Sequence, residues 1–158
     1  MEARLDQFNS PILGKVLKHF IAASRQIAES DLLPAATREL VMLRASQING
    51  CGFCVDMHFK DAVHEGEDAT RLNLVPVWRE ATVFTDAERA ALELAEQGTR
   101  LADGAPGVTD EAWANAAKHY DEEQLAALVA LIALINAFNR GNVIARQPAG
   151  GYRPGMFA

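Results

Sequence analysis

The segment from Ile48 to His58, INGCGFCVDMH, contains both cysteines of the chain and a histidine shortly after them. Cys51 and Cys54 have i, i+3 spacing, and Cys54 and His58 have i, i+4 spacing. On an α-helix these spacings place the three side chains on one face. Two thiols and an imidazole on one face can bind a metal, form a disulfide or carry out thiol redox chemistry.

The position of the cysteines favours thiol chemistry. Asn49-Gly50 predicts a break between two helices, because both residues tolerate a positive φ. The cysteines then lie in the first turn of the following helix, where unpaired N–H groups and the positive end of the helix dipole stabilise a thiolate. His58 adds a base to this site.

Other interpretations compete with a redox site. A structural zinc ion takes four ligands, and this segment offers Cys51, Cys54 and either His58 or an acidic residue. Covalent c-type haem needs a histidine directly after the second cysteine, and Val55 excludes it. Free cysteines are also often buried as small apolar residues. From the spacing alone, the metal-binding and inert-thiol interpretations stay open.

Glu39 joins the group if the helices before and after Asn49-Gly50 form an antiparallel hairpin. In this hairpin Glu39 lies opposite about residue 60. His58 is two residues from that level, which corresponds to about 3 Å along the helix axis. We therefore predict a hydrogen bond between Glu39 and His58 that orients the imidazole as a base.

The remaining side chains near the motif are assigned structural roles. Phe53 and Val55 are expected to point away from the cysteine face, into the core. His19, His64 and His119 lie outside the motif and are interpreted as surface or packing residues.

Most of the chain predicts helices, and no window has the alternating pattern of a strand. Helix starts are indicated by Ser10-Pro11, Pro34, Thr109 and two capping boxes, Thr85-x-x-Glu88 and Asp121-x-x-Gln124. The predicted helices cover about residues 11–29, 34–48, 51–65, 69–74, 86–102, 109–120 and 123–147. This pattern predicts an all-α, single-domain bundle of about six to seven helices over residues 1–158.

The stretch from Leu125 to Phe138 is apolar on nearly every face. We expect it to be the central core helix and also to be shared with a subunit interface. Asn136 and Asn139 near its end are expected to form hydrogen bonds between helices.

Composition limits the classes of function. The chain of 158 residues has a formal net charge of −6 and lacks a Lys/Arg cluster, which argues against nucleic acid or an anionic membrane as partner. Its longest apolar stretch, residues 125–138, is shorter than the roughly 20 residues of a membrane helix. The N-terminal residues lack the apolar segment of a secretory signal. We therefore expect a cytoplasmic protein.

The segment RELVMLRASQINGCGFCVDMHFKDA resembles the alkylhydroperoxidase D-like branch of the carboxymuconolactone decarboxylase superfamily. The shared pattern is a glutamate, eleven residues, Cys-x-x-Cys, three residues and a histidine, which matches Glu39, Cys51, Cys54 and His58. The resemblance continues through Trp78-Arg-Glu and the segments DAERAALELAE and LIALINAFNR. It covers roughly residues 35 to 146.

The resemblance implies an all-helical homo-oligomer, a trimer or hexamer, that reduces hydroperoxides without a metal, flavin or other cofactor. Cys54 would be the peroxidatic thiol, and Cys51 the more exposed thiol that resolves the sulfenic acid into a disulfide and meets a dithiol reductant. Glu39 and His58 would form a proton relay. The decarboxylase branch, which uses no cysteine pair, is disfavoured.

Phe53 departs from the pattern of the resembled peroxidases, which carry an additional histidine between the two cysteines. The missing base predicts weaker peroxidase turnover. The alternatives are thiol–disulfide exchange and a redox-sensing or metal-binding module.

Overall fold

A computed structural model describes residues 2–104 and 107–156. Within these ranges the regular structure is entirely helical, which confirms the predicted all-α class. The seven α-helices are α1 (Leu13–Glu29), α2 (Ala35–Ile48), α3 (Gly52–His64), α4 (Ala69–Asn73), α5 (Asp86–Thr99), α6 (Asp110–Ala116) and α7 (Glu122–Ala145). A 3₁₀ turn at Val75–Val77 follows α4.

Two capping boxes start α5 and α7, as predicted. The Thr85 hydroxyl accepts the Glu88 N–H at 3.2 Å, and the Glu88 carboxylate accepts the Thr85 N–H at 2.8 Å. Asp121 and Gln124 make the same exchange at the start of α7. These reciprocal bonds satisfy N–H groups that have no partner within the helix.

Several helix boundaries differ from the prediction by one to four residues. α1 begins at Leu13, two residues later than expected, and α5 ends at Thr99 rather than at residue 102. α6 ends at Ala116, and residues 117–119 form turns. These turns bring the buried Tyr120 over α5, where its hydroxyl donates to the Ala87 carbonyl at 2.8 Å. A local helix pattern cannot anticipate this tertiary bond.

α2 is the central helix of the fold. It packs against α3, α5 and α7, while α1 lies on α7. Buried side chains from several helices meet here, among them Val41, Leu94, Leu128 and Leu131. The hairpin of α2 and α3 is thereby held rigidly against α7.

α7 is less buried than its composition predicts. Its inner side lies in the core, but Ala126, Val129, Ala130 and Ala133 are exposed. Within a single chain one side of α7 is in the core and the other is uncovered, and the expected subunit interface stays a prediction. The four residues have helical spacing and form one outward stripe.

Among the described residues, α7 is the one helix that is long and apolar enough to cross a membrane. One such helix is weak evidence for a membrane span, because the core helix of a soluble protein meets the same criterion. The inner face of α7 buries Asn136, Asn139 and Asn142 and packs against α2. The packing of this fold thus accounts for the inner face of the helix but not for its exposed stripe.

Candidate active site

The turn between α2 and α3 is tied to α7 by asparagine side chains. Gly50 takes a positive φ of 65°, which a glycine adopts without strain. The Asn49 amide nitrogen donates to the side-chain oxygens of Asn136 and Asn139, both at 2.9 Å. The predicted interhelical role of these two asparagines is confirmed, and they hold the cysteine-bearing turn in place.

Cys51 is the N-cap of α3. Its sulfur accepts the backbone N–H of Cys54 at 3.4 Å, in the position where a serine or aspartate oxygen usually lies. A hydrogen bond from the Cys54 thiol lowers the pKa of Cys51 to about 7, assisted by that N–H, the Asn139 side chain and the charge of His58, against the effect of burial. Cys51 is therefore the more acidic thiol.

Cys54 lies one turn deeper and is completely buried. Its pKa is raised because its thiol donates to Cys51, because it is buried and because the charge on Cys51 opposes a second thiolate. The Asn142 amide nitrogen donates to the Cys54 sulfur at 3.1 Å and acts in the opposite direction. The two thiols thus share one proton and behave as a single titrating pair.

His58 and Glu39 form the predicted pair. The His58 Nδ1 and Glu39 Oε2 atoms are 3.0 Å apart, and both side chains are mostly buried. With Nδ1–H donating to the carboxylate, the neutral ring has its lone pair on Nε2. That Nε2 atom is buried and has no hydrogen-bond partner, so it is available to take a proton.

A cavity of about 190 Å³ lies between α1, α2, α3, α7 and the N-terminal segment. Its walls are mainly apolar, with Leu17 and Ile21 from α1, Met57 from α3, and Leu131, Ile135 and Phe138 from α7. Cys54 and His58 line the cavity, whereas Cys51 does not. A small molecule bound here would therefore lie beside Cys54 and His58 rather than beside Cys51.

One expectation about this site is wrong. Phe53 is buried, as predicted, but it does not point away from the cysteine face, since it lines the cavity beside Cys54. Cys51 is 2% exposed and Cys54 is 0% exposed, so Cys51 is the more exposed thiol by a small margin. Both sulfurs lie beneath the surface, and the cavity provides a route to only one of them.

Gln7 and Asn142 were missed from the sequence. Both line the cavity, and the Gln7 amide nitrogen donates to the Asn142 side-chain oxygen. A partial signal was present: Asn136, Asn139 and Asn142 repeat every three residues along an otherwise apolar helix, the pattern of one polar stripe. Nothing in the sequence near Gln7 marks it as part of a site.

The other polar side chains do not extend this site to a metal centre. Among residues 2–104 and 107–156, no group of three or more His, Cys, Asp or Glu side chains is arranged to hold a metal ion. His19, His64 and His119 are exposed, as the sequence predicted. The zinc interpretation therefore gains no support from the geometry.

Comparison with known proteins relates this site to a family. Residues 14–97 match the carboxymuconolactone decarboxylase family. The uncharacterised protein YdfG of Bacillus subtilis is 44% identical over 104 residues, which are 66% of this chain and 69% of YdfG. The chain belongs to the carboxymuconolactone decarboxylase family. The residues that match the family, 14–97, include Glu39 and the Cys-x-x-Cys segment but exclude Gln7 and Asn142.

Solved structures place the chain in the alkylhydroperoxidase D-like branch of the family. One is a protein of unknown function from Agrobacterium tumefaciens, proposed to be the antioxidant defence protein AhpD. It is 34% identical to this chain, with a TM-score of 0.87, and the match covers 96% of this chain and all of the other. The debrominase Bmp8 is 20% identical with a TM-score of 0.76 over 87% of this chain and 74% of its own, which shows a shared fold.

Proposed function

We propose that this protein is a dithiol peroxidase that reduces organic hydroperoxides with Cys51 and Cys54. The observation that carries the proposal is the apolar cavity that ends at Cys54 and His58, with Cys51 hydrogen-bonded to Cys54 outside the cavity lining. The relationship to a protein proposed to be AhpD supports a peroxidase-related role.

The cavity favours an organic hydroperoxide over hydrogen peroxide. When an alkyl or aryl group leaves water and packs against the apolar side chains of α1 and α7, binding becomes more favourable by about 25 cal/mol per Å² of buried apolar surface. Hydrogen peroxide has no such surface. A volume of about 190 Å³ suits a small substituent, with the peroxide group directed at Cys54.

The first chemical step oxidises Cys54. As the thiol proton moves to Nε2 of His58, the sulfur attacks the terminal peroxide oxygen and the O–O bond breaks. The products are Cys54 sulfenic acid and an alkoxide, which takes the proton from His58 and leaves as the alcohol. Glu39 stabilises the transient imidazolium through its hydrogen bond to Nδ1.

The second step forms the disulfide. The Cys51 thiolate attacks the Cys54 sulfur, and the hydroxyl group of the sulfenic acid takes a proton from solvent and leaves as water. Its hydrogen bond with the Cys54 thiol and its lowered pKa make Cys51 suited to this attack near neutral pH. An external dithiol then supplies two electrons and two protons to restore both thiols.

Thiol–disulfide exchange with a protein substrate is the alternative, and burial disfavours it. Attack on a protein disulfide needs a sulfur that a large partner can reach. Cys51 and Cys54 are both buried, and the access at Cys54 is a small apolar cavity. A small hydroperoxide meets this requirement better.

The test is stopped-flow mixing of the reduced protein with cumene hydroperoxide, followed by mass spectrometry of the products. We expect a Cys51–Cys54 disulfide in the wild type, sulfenic acid trapped by dimedone at Cys54 in Cys51→Ser, and no fast reaction in Cys54→Ser. Sulfenic acid at Cys51 in Cys54→Ser, formed at the wild-type rate, would show that the two roles are reversed. No thiol oxidation in the wild type would refute the proposed function.

A further inference from the structure

Two buried amide side chains form a chain of hydrogen bonds that ends on the cavity thiol. The Gln7 Nε2 atom donates to Asn142 Oδ1, and Asn142 Nδ2 donates to Cys54 Sγ at 3.1 Å. Gln7 is 1% exposed and Asn142 is 8% exposed. Both lie outside the residues matched to the family, so the peroxidase proposal assigns them no role.

The N-terminal segment is held where Gln7 can make this contact. The Arg4 backbone N–H donates to the Ala145 carbonyl at 2.8 Å, and the Arg4 guanidinium donates to the Ile144 carbonyl at 3.1 Å. These bonds attach the segment to the end of α7, less than one turn from Asn142. The backbone three residues before Gln7 is therefore bound to the same helix that carries Asn142.

The direction of the Asn142 amide decides what Cys54 meets. An asparagine side chain has a donor and an acceptor of nearly equal size, so either atom could face the sulfur. Because Gln7 donates to the oxygen, the nitrogen is turned toward Cys54. A thiolate is stabilised by a donor, whereas an oxygen at this position would repel it.

A donor at Cys54 matters because the site otherwise favours charge on Cys51. Cys51 has the helix N-terminus, while Cys54 is enclosed by apolar side chains and is the thiol that faces the cavity. The Cys54 sulfur must nevertheless become negatively charged in order to attack a peroxide. A donor that is already oriented stabilises that charge without reorganisation during the reaction.

We infer that Asn142 is a catalytic residue that stabilises negative charge on the Cys54 sulfur, and that Gln7 is the positioning residue that keeps its amide nitrogen directed at that sulfur. This inference rests on the proposed peroxidase function. The titratable groups around Cys54 are Cys51 at the start of α3, the His58–Glu39 pair, and Arg25 of α1 across the cavity. From α7 the neighbours are Asn142 and Asn139, whose side chain also acts to lower the pKa of Cys54, and from the N-terminal segment the neighbour is Gln7, which contacts Asn142.

The test compares variants that reverse or remove the amide orientation. In Gln7→Glu the carboxylate accepts from Asn142 and turns its oxygen toward Cys54. Asn142→Asp removes the donor directly, and Gln7→Met removes only the restraint. The matched control is Gln47→Glu, because the side-chain oxygen of Gln47 is also buried without a partner but Gln47 does not line the cavity.

The measurement is the second-order rate constant for cumene hydroperoxide with fully reduced protein, from pH 5 to pH 10. At pH 7 we expect a loss of tenfold or more in Gln7→Glu and Asn142→Asp, a smaller loss in Gln7→Met, and no change in Gln47→Glu. The midpoint of the pH–rate profile reports the first ionisation of the thiol pair. It should move to higher pH in the first two variants, because the charge shared by the two sulfurs loses its donor at Cys54.

Two outcomes overturn the inference. If the wild type reacts but Gln7→Glu and Gln7→Met keep the wild-type midpoint, these residues have only a structural role, even where the rates fall uniformly with pH. If the wild type itself does not react with the hydroperoxide, the proposed function fails and the inference fails with it.

Discussion

At the residue scale, Cys51 and Cys54 lie in different environments, and each has only some of the neighbouring groups that make a thiol reactive. Cys51 occupies the helix N-cap, and the hydrogen bond from Cys54 makes it the more acidic thiol. Cys54 has the cavity, the imidazole of His58 and the amide of Asn142. In the proposed cycle, the thiol that meets the substrate and the thiol that carries the resting charge are different residues.

This division predicts how the reduced pair titrates. Thiolate absorbance near 240 nm should rise with a first midpoint near pH 7, because the pKa of Cys51 is lowered to about 7. The low midpoint should disappear in Cys51→Ser and persist in Cys54→Ser, since a serine hydroxyl can still donate to the Cys51 sulfur. A wild-type midpoint at the ordinary value of 9.0 would contradict this assignment.

The same shift gives a stability prediction with a definite sign. Between about pH 7 and 9 the folded state holds fewer protons at Cys51 than the unfolded state, so the free energy of unfolding of the reduced protein rises with pH. This stabilisation is lost as the pH falls through 7. Above pH 9 the raised pKa of Cys54 acts in the opposite direction. Urea denaturation of wild type and Cys51→Ser across this range measures the difference.

At the element scale, the C-terminal segment after α7 packs against the outer side of α3. Its backbone is irregular over residues 147–156, yet Tyr152 is buried and its hydroxyl lies 2.8 and 2.9 Å from the two carboxylate oxygens of Asp61. The Lys60 ammonium donates to the Tyr152 carbonyl at 3.0 Å, and the Tyr152 ring contacts Phe53 edge to face. This segment thereby supports the helix that carries both cysteines.

Tyr152→Phe should test that support. Removing the hydroxyl leaves the half-buried Asp61 carboxylate without its donor, and we expect a loss of about 1 kcal/mol in the free energy of unfolding. Burial and the hydrogen bond with Asp61 raise the pKa of Tyr152, so the phenol stays protonated and the loss should be constant from pH 6 to 9. Urea denaturation measures it. In a double-mutant cycle with Asp61→Asn, strictly additive effects would show that the two side chains are not coupled.

The elements of the site differ in how far the sequence could predict them. Glu39 and His58 are 19 residues apart, and a single hairpin turn sets their register. Cys54 and Asn142 are 88 residues apart, and Gln7 and Asn142 are 135 apart, so those contacts depend on how α7 and the N-terminal segment pack. Phe53 was misassigned because the cavity extends beyond the helix face that the spacing defines.

At the scale of the whole molecule, the outward stripe of α7 remains to be explained. Ala126, Val129, Ala130 and Ala133 are exposed on an otherwise apolar helix, and Ile144 farther along is 67% exposed. Apolar stripes of this kind mark interfaces more often than free surface. The homo-oligomer expected from the sequence stays a prediction, and this stripe is where we expect its subunits to meet.

Val129→Glu should therefore lower the oligomeric state of the protein, because a carboxylate in an apolar interface has to be desolvated without a partner. Val77→Glu is a matched control, since Val77 is also 50% exposed but lies on the 3₁₀ turn, away from α7. Sedimentation velocity over a range of concentrations measures both variants beside the wild type. We expect a smaller species for Val129→Glu only. A monomeric wild type, or an unchanged assembly in Val129→Glu, would show that the stripe is not an interface.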